Sequence, residues 1–215
     1  RGSPSMIRVL IADDHAIVRH GLKQILAETD DLIVAGEAET GFQAIKMARQ
    51  DTFDVILLDI SLPDRNGIEV LSQIKKTHPR LAVLMLSMHT EHEFAIRALK
   101  AGASGYLNKQ SAPVQLVTAI RQVAVGRKYI SAALAEELAN SLGGDTEQPL
   151  HEMLSDREFQ TLRLIASGKS LSVISEELSL SPKTVSVYRA RLLEKLDLRN
   201  NSDLTRYAIK NKLVD

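Results

Sequence analysis

The chain has 215 residues, 44% of them hydrophobic, which is long for one domain and enough to fill a core in each of two. It has no cysteine, so disulfides, thiolate metal sites and cysteine nucleophiles are excluded, in keeping with a reducing cytosol, and no apolar run approaches the roughly 20 residues that span a bilayer. The net charge of zero is unevenly spread: residues 1–150 carry 16 basic and 18 acidic side chains, residues 151–215 carry 11 and 9, and 183–215 alone carry 8 and 4, a late basic excess that a polyanion would favour.

Residues 1–5 precede the first Met and read as leftover vector sequence, outside the fold. Short β-branched apolar runs at 7–12, 32–38, 55–59, 82–87 and 105–108 predict strands, and amphipathic stretches at 16–28, 41–50, 68–77, 91–101 and 114–125 predict helices. A run such as Val55-Ile56-Leu57-Leu58 suits a strand buried on both faces. Five such units imply a parallel sheet with helices on both sides, because right-handed crossovers place them there. A further helix at 132–141 leads into Gly143-Gly144-Asp145-Thr146-Glu147-Gln148-Pro149, whose residues supply no core and mark a linker, with the boundary near 143–150. Beyond it the strand signal stops, and helices are predicted at 156–166, 171–178, 182–196 and 202–211. Ser155 stands three before Glu158 as a capping box, Ser181 precedes Pro182 at a first helical position, and Gly168 suits a helix stop.

Ligands on open α/β sheets bind outside the carboxyl ends of the strands, where the winding reverses. Asp13 and Asp14 follow the first strand, Asp59 ends the third, Ser87 ends the fourth and Lys109 follows the fifth. If the strand order is 2-1-3-4-5, as in known doubly wound sheets, the first and third strands are neighbours and the three carboxylates share one cleft, where they repel each other unless a counter-charge is present. Mg2+ would remove that repulsion while keeping waters and room for phosphate oxygens, Lys109 could neutralise a phosphoryl charge, and the Ser87 hydroxyl could donate to it. The chemistry that fits is in-line attack of the Asp59 carboxylate on a phosphoryl group. Any one of these residues alone reads as a turn or helix cap. Together they place five polar groups at the same ends of four strands.

Asp13-Asp14, the run Leu58-Asp59-Ile60-Ser61-Leu62-Pro63-Asp64-Arg65-Asn66-Gly67, Ser87, and the run Ala101-Gly102-Ala103-Ser104-Gly105-Tyr106-Leu107-Asn108-Lys109 resemble the motifs of response-regulator receiver domains, over about residues 7–127. The resemblance implies an α/β, CheY-like, doubly wound fold with a five-stranded parallel sheet. It implies Asp59 as phospho-acceptor, with Mg2+ held by Asp14, Asp59 and the Ser61 carbonyl, and Asp13 acting through water. Ser87 and Tyr106 match its switch pair, in which the hydroxyl moves toward the phosphoryl group and the ring rotates inward behind it. Ser61 and His89 flank the place where residue identity tunes the lifetime of the phosphoryl group. Many receivers have proline with a cis peptide after the lysine, whereas Lys109 is followed by Gln110.

In the helical half, 171–178, a tight turn through 179–181 and a longer helix from Pro182 set a second helix across the first, free to enter a major groove about 12 Å wide. Leu154-Ser155-Asp156-Arg157-Glu158, Leu164-Ile165-Ala166-Ser167-Gly168-Lys169-Ser170 and 174–185 resemble the LuxR/NarL-type helix-turn-helix, up to the end of the chain. Lys183, Thr184, Arg189 and Arg191 can reach phosphates, and Ser186, Val187 and Ala190 fall where the family faces base edges, with Val185, Leu192 and Leu196 on the core side. The family often has His where Tyr188 stands, and Asn-Lys where Leu171-Ser172 stand. In the last helix, Leu204, Tyr207 and Ala208 match a dimerisation surface, although core packing alone would also explain them.

The whole chain therefore resembles a two-component response regulator of the NarL/FixJ family: receiver domain 6–128, linker helix and linker 129–150, DNA-binding domain 151–215. The expected partners are a sensor histidine kinase, double-stranded DNA with paired half-sites, RNA polymerase, and a second copy of the chain once phosphorylated; no membrane is involved, and the location is cytoplasmic. It is expected to be no enzyme beyond its own phosphoryl transfer and slow autodephosphorylation. A haloacid-dehalogenase-type phosphatase would place an acid two residues after its nucleophile, where Ser61 stands. A nucleotide-binding oxidoreductase would need a G-x-G-x-x-G or G-x-x-x-x-G-K-[ST] run after the first strand, and neither occurs. A receiver-like domain acting by contact alone would not need the intact Asp13, Asp14, Asp59, Ser87 and Lys109 set.

Overall fold

Alternating apolar runs and amphipathic stretches organise a computed structural model that describes residues 5–88, 92–143 and 149–214, and the chain divides into two units, 1–143 and 144–215. In the first unit, strands β1 (Ile7–Ala12), β2 (Leu32–Ala38), β3 (Val55–Asp59), β4 (Ala82–Ser87) and β5 (Gly105–Asn108) form one parallel sheet in the order β2-β1-β3-β4-β5, as expected from the sequence. Every residue of β3 and β4 is buried, the consequence of helices covering both faces. Edge strand β2 leaves Ile33 and Glu37 exposed.

Helices α1 (Ala16–Ala27), α2 (Gly41–Gln50), α3 (Gly67–Thr77), α4 (His92–Lys100) and α5 (Ala112–Ala124) follow the five strands. Thr40 Oγ1 accepts from Gln43 N at 3.1 Å and Asn66 Oδ1 from Ile68 N at 2.8 Å, capping α2 and α3. On one face of the sheet, Val9, Ile11, Leu57, Leu84, Leu86 and Leu107 bury against Leu22 and Leu26 of α1 and Leu116, Ile120 and Val123 of α5. Each such side chain contributes about 1.5–3 kcal/mol on leaving water.

Helix α6 (Ala132–Gly143), predicted over 132–141, packs against α4 of the first unit. Leu134 is buried with Ala95 and Ile96 of α4, and Leu99, Tyr106, Ile130 and Leu138 close the cluster. Leu134 and Leu138 lie four apart and so share one helical face. Just before α6, Tyr129 pairs in parallel with Gly105: Tyr129 N donates to Ser104 O at 2.9 Å and Tyr106 N donates to Tyr129 O at 3.3 Å. The linker residues 144–148 and the vector-like residues 1–4 lie outside the described residues.

The second unit opens with a 3₁₀ turn, Leu150–Met153, that the sequence did not announce, followed by α7 (Asp156–Ala166), α8 (Leu171–Glu177), α9 (Pro182–Leu196) and α10 (Asn201–Lys210). The capping box forms, with Ser155 Oγ accepting from Glu158 N at 3.2 Å and Glu158 Oε2 from Ser155 N at 2.9 Å. Ser179, at φ 53°, turns the chain sharply between α8 and α9. Phe159, Leu162, Ile174, Val185, Leu192, Leu196, Leu204 and Ala208 are buried and supply the unit's apolar interior. Among the described residues, no helix is long and apolar enough to cross a membrane.

Candidate functional site

The pairing of Ala12 with Leu58 brings the ends of β1 and β3 side by side, and Asp13 and Asp59 emerge there 0% and 2% exposed. Asp13 N donates to Ala38 O at 3.0 Å, and Asp59 Oδ1 accepts from Ser61 N at 3.2 Å, which fixes the two carboxylates from different strands. Lys109, carried by the chain leaving β5 and tethered by its backbone N to Ser87 O at 2.7 Å, sets Nζ 2.5 Å from Asp13 Oδ2 and 3.0 Å from Asp59 Oδ2. Those two buried oxygens meet the ammonium and no other protein donor among the described residues.

Burial pushes the Asp59 carboxyl above its ordinary value; the Lys109 charge pulls it back, while the Asp13 charge adds to the rise. Lys109 shows the reciprocal balance: burial favours its neutral form, but the Asp59 and Asp13 carboxylates win and hold it above the usual lysine value. Asp13, Asp14, Asp59 and His15 each offer one ligand atom, and all four lie within 4.8 Å of one another. Hard carboxylate oxygens at that spacing suit a divalent cation, which would relieve the Asp13 repulsion that adds to the burial-driven rise of Asp59.

Ser87 and Tyr106 are brought together: the Ser87 hydroxyl hydrogen-bonds the Tyr106 phenol, whose pKa burial raises and whose rise the nearby Asp59 charge increases against that bond. The Lys109–Gln110 peptide is trans. His89 lies outside the described residues.

Three contributors were given no role from the sequence. Buried Arg19 donates from Nη1 to Asp13 O at 2.7 Å while Nε and Nη2 reach Glu37 at 3.2 Å and Glu39 at 2.9 Å, so it ties the start of α1 to the loop carrying Asp13. Its signal was a charged residue on the apolar face of a predicted amphipathic helix. At Gly67 a Cβ would stand 2.3 Å from the Asp59 carbonyl oxygen, so the last residue of the Asp64-Arg65-Asn66-Gly67 turn must be glycine for the turn to close on Asp59. His15 turns its ring back onto Asp13 and Asp14.

On α9, Lys183, Ser186, Val187, Ala190 and Arg191 are exposed at the i, i+3, i+4, i+7, i+8 spacing of one helical stripe, and Val185, Leu192 and Leu196 are buried opposite it. Thr184 is bound into the cap, its hydroxyl 2.9 Å from Ser181 Oγ, and Arg189 Nε donates to Asn201 Oδ1 at 2.6 Å. On α10, Leu204 and Ala208 are core residues, and the Tyr207 hydroxyl contacts His151 Nδ1 at 3.1 Å. The apolar side chain α10 leaves exposed is Ile209.

A lysine-bridged carboxylate pocket at the switch point of a 2-1-3-4-5 sheet, followed in the same chain by a helix-turn-helix unit, defines a receiver-controlled transcription regulator. Residues 9–121 match the family described as response regulator receiver domain, and residues 152–208 match the bacterial regulatory proteins of the luxR family. The chain belongs to the response regulators, in the NarL/FixJ family. It is 40% identical over 212 residues to the response regulator UvrY of Escherichia coli K12, covering 98% of this chain and 97% of that protein. To the response regulator GacA of Pseudomonas aeruginosa it is 37% identical, covering 98% and 99%. A solved structure of the RcsB response regulator of Salmonella typhimurium is 27% identical, covers 94% of this chain and 96% of that one, and superposes with a TM-score of 0.68. RcsB bound to a promoter in the presence of the phosphomimetic BeF3- gives 27%, 94%, 98% and 0.63.

Proposed function

We propose that Asp59 accepts a phosphoryl group from a sensor histidine kinase, and that the acyl phosphate controls dimerisation and sequence-specific DNA binding. The observation that carries this reading is Asp59, buried, with Oδ2 against Lys109 and with two further carboxylates beside it. An Asp59 carboxylate oxygen attacks phosphorus in line, its bond to phosphorus forms as the phosphorus–nitrogen bond of the kinase phosphohistidine breaks, and the imidazole leaves. Lys109 neutralises a phosphoryl oxygen, and the Ser87 hydroxyl exchanges its bond to Tyr106 for one to the phosphoryl group. Mg2+ on Asp13, Asp14, Asp59 and the Ser61 carbonyl would supply charge neutralisation.

The receiver spans 6–128, the connection 129–150 and the DNA-binding domain 151–215. In the latter, Lys183, Thr184, Arg189 and Arg191 contact phosphates and set orientation, while Ser186, Val187 and Ala190 face base edges in the major groove. Two copies read paired half-sites, in the cytoplasm. Incubation with Mg2+ and acetyl phosphate, followed by intact mass and sedimentation, tests this. The expected result is a gain of one phosphoryl group and tighter self-association, both lost in Asp59→Ala. No gain with any donor would leave a DNA-binding protein whose receiver acts by contact alone.

A further inference from the structure

We propose that Asn201, at the start of α10, joins Arg189 of α9 in holding one DNA phosphate on the wall of the major groove. The inference rests on the reading of α9 as the helix that enters the groove with Arg189 on a phosphate, and it adds a contact residue from a second helix. The start of α10 reaches the side of α9 because the connection is short and sharply turned. Asp197 ends α9 at φ 52°, and Leu198 N donates back to Leu193 O at 2.9 Å. Asn200 then caps α10, its Oδ1 accepting from Asp203 N at 2.9 Å. Asn201, the next residue, is exposed, and its Oδ1 accepts from Arg189 Nε at 2.6 Å.

The place of Arg189 on α9 decides what it can meet. Successive helical residues turn by about 100°, so Arg189 stands about 60° from exposed Ser186 and about 40° from buried Val185. It is a flank residue, off the stripe that faces the bases. A helix with its side chains is about 10–12 Å across and the major groove about 12 Å wide, so the flanks of an inserted helix meet the groove walls, which are lined by phosphates. On the Arg189 flank the neighbouring element is the start of α10.

The Arg189–Asn201 hydrogen bond also sets what each partner has left to offer. A guanidinium only donates, so the amide turns its oxygen to Arg189 and its Nδ2, with two hydrogens, away from it. Nδ2 and the two terminal nitrogens of Arg189 make no further hydrogen bond among the described residues. With Nε taken, the guanidinium presents its end-on fork, which suits two oxygens of one phosphate, and the amide donor stands beside it. No acidic side chain pairs with Arg189 among the described residues. The neutral amide therefore orients the guanidinium without neutralising it, and the charge remains for an anion.

The experiment enriches a duplex of about 30 base pairs from a random-sequence pool with the full chain, long enough for two half-sites one helical turn apart. Phosphate ethylation interference on that duplex is compared for wild type, Arg189→Ala, Asn201→Ala and Asn201→Asp, with affinity measured at several salt concentrations and Tm for each protein. The aspartate variant keeps an oxygen for Arg189 and suits a helix start, but it has no amide hydrogens. We expect Arg189→Ala to lose interference at one phosphate of each half-site and to reduce the salt slope of log affinity by about 0.9 for each bound copy. Asn201→Ala should lose interference at the same phosphate and weaken binding about fivefold on every sequence, with the salt slope and Tm unchanged. Asn201→Asp should lose the same interference while keeping its Tm. Interference retained in either Asn201 variant, or lost at a different phosphate, makes Asn201 a brace within the domain and overturns the proposal, while Arg189 stands as a phosphate contact. Interference unchanged in Arg189→Ala overturns the phosphate reading of Arg189 and the proposal with it, and a wild type that enriches no duplex overturns the reading of α9 itself.

Discussion

Lys109 Nζ stands between Asp13 Oδ2 and Asp59 Oδ2, at 2.5 and 3.0 Å, and so holds two buried carboxylates that would otherwise face each other. Removing one partner of a buried pair costs about 3–5 kcal/mol, because the charge left behind has no water. Lys109→Met is therefore expected to destabilise the first unit when divalent cations are chelated, and a bound cation should restore part of the loss. The effect also has a pH signature. The folded pKa of Asp59 is raised above its ordinary 3.8, so the folded state holds the extra proton below that folded value, and stability falls as pH rises through it. Without Lys109 the folded value climbs further, and the falling window widens upward. Urea unfolding in EDTA should then show a larger deficit for Lys109→Met at about pH 8 than at about pH 5. An equal deficit at both would contradict this account.

Gly67 abuts the Asp59 backbone from the other side. A Cβ there would stand 2.3 Å from Asp59 O and 2.6 Å from Ile60 Cα, both backbone atoms that cannot swing away. Gly67→Ala should cost about 1–3 kcal/mol and slow phosphorylation by shifting Asp59. Gly21, inside α1 with nothing within 4 Å of its would-be Cβ, is the control: Gly21→Ala should gain about 0.5–1 kcal/mol. Urea midpoints of the two variants moving the same way would refute the contrast.

The strands were legible because each is a short, closed run of β-branched and aliphatic residues; 55–58 and 82–86 could hardly be read otherwise. The helical half was legible through caps, since Ser155 and Ser181 each accept from the first turn of a helix; Ser170 and Asn200 cap α8 and α10 in the same way without having been read as caps. Asp13, Asp59 and Lys109 were legible because strand ends in a doubly wound sheet converge. The 3₁₀ turn carrying His151 was not, because its residues have no periodicity and it forms through the tertiary contact with Tyr207. Nor was the docking of α6, since Leu134 and Leu138 mark an apolar face without saying which unit buries it. His15 carries no pattern of its own, and Arg19 marks itself only as a charge on the apolar face of α1; the folded loop brings both to Asp13.

Glu158 links α7 to α9, with Lys195 Nζ donating to Oε2 at 2.7 Å. Burial alone would raise the Glu158 pKa, but the Lys195 hydrogen bond, the capping bonds from Ser155 and the Lys195 charge prevail and hold it below its ordinary 4.5. Its contribution to stability is thus fully present above the ordinary value and is lost as pH falls through the lower folded one. Lys195 is partly open to solvent, so Lys195→Met should cost about 0.5–1 kcal/mol near neutral pH. That difference should vanish on acidification, measured by melting wild type and variant across the carboxylate range. A difference independent of pH would place the effect in packing.

The exposed stripe on α9 separates affinity from readout. Lys183→Ala should weaken DNA binding evenly across sequences and reduce the salt slope of log affinity by about 0.9, one phosphate contact. Val187→Ala should leave the slope alone and alter preference at one base position, where an apolar side chain meets a thymine methyl. Titrations of matched and mismatched duplexes at several salt concentrations decide between these outcomes.

Tyr106 reaches two places: its phenol bonds Ser87 near Asp59, while its ring packs in the cluster that Leu134 and Leu138 of α6 form with α4. A change at one end is therefore felt at the other only through differential contacts in the two states. Leu134 is 6% exposed, and Leu134→Ala should cost the α6 contact about 2–4 kcal/mol. Hydrogen exchange should then rise across 132–143 while β1 and β3 keep their protection. If phosphorylation is transmitted along this route, acetyl phosphate should change exchange in α6 of wild type and fail to do so in Tyr106→Ala. The same response in both proteins would show that the signal reaches α6 by another path.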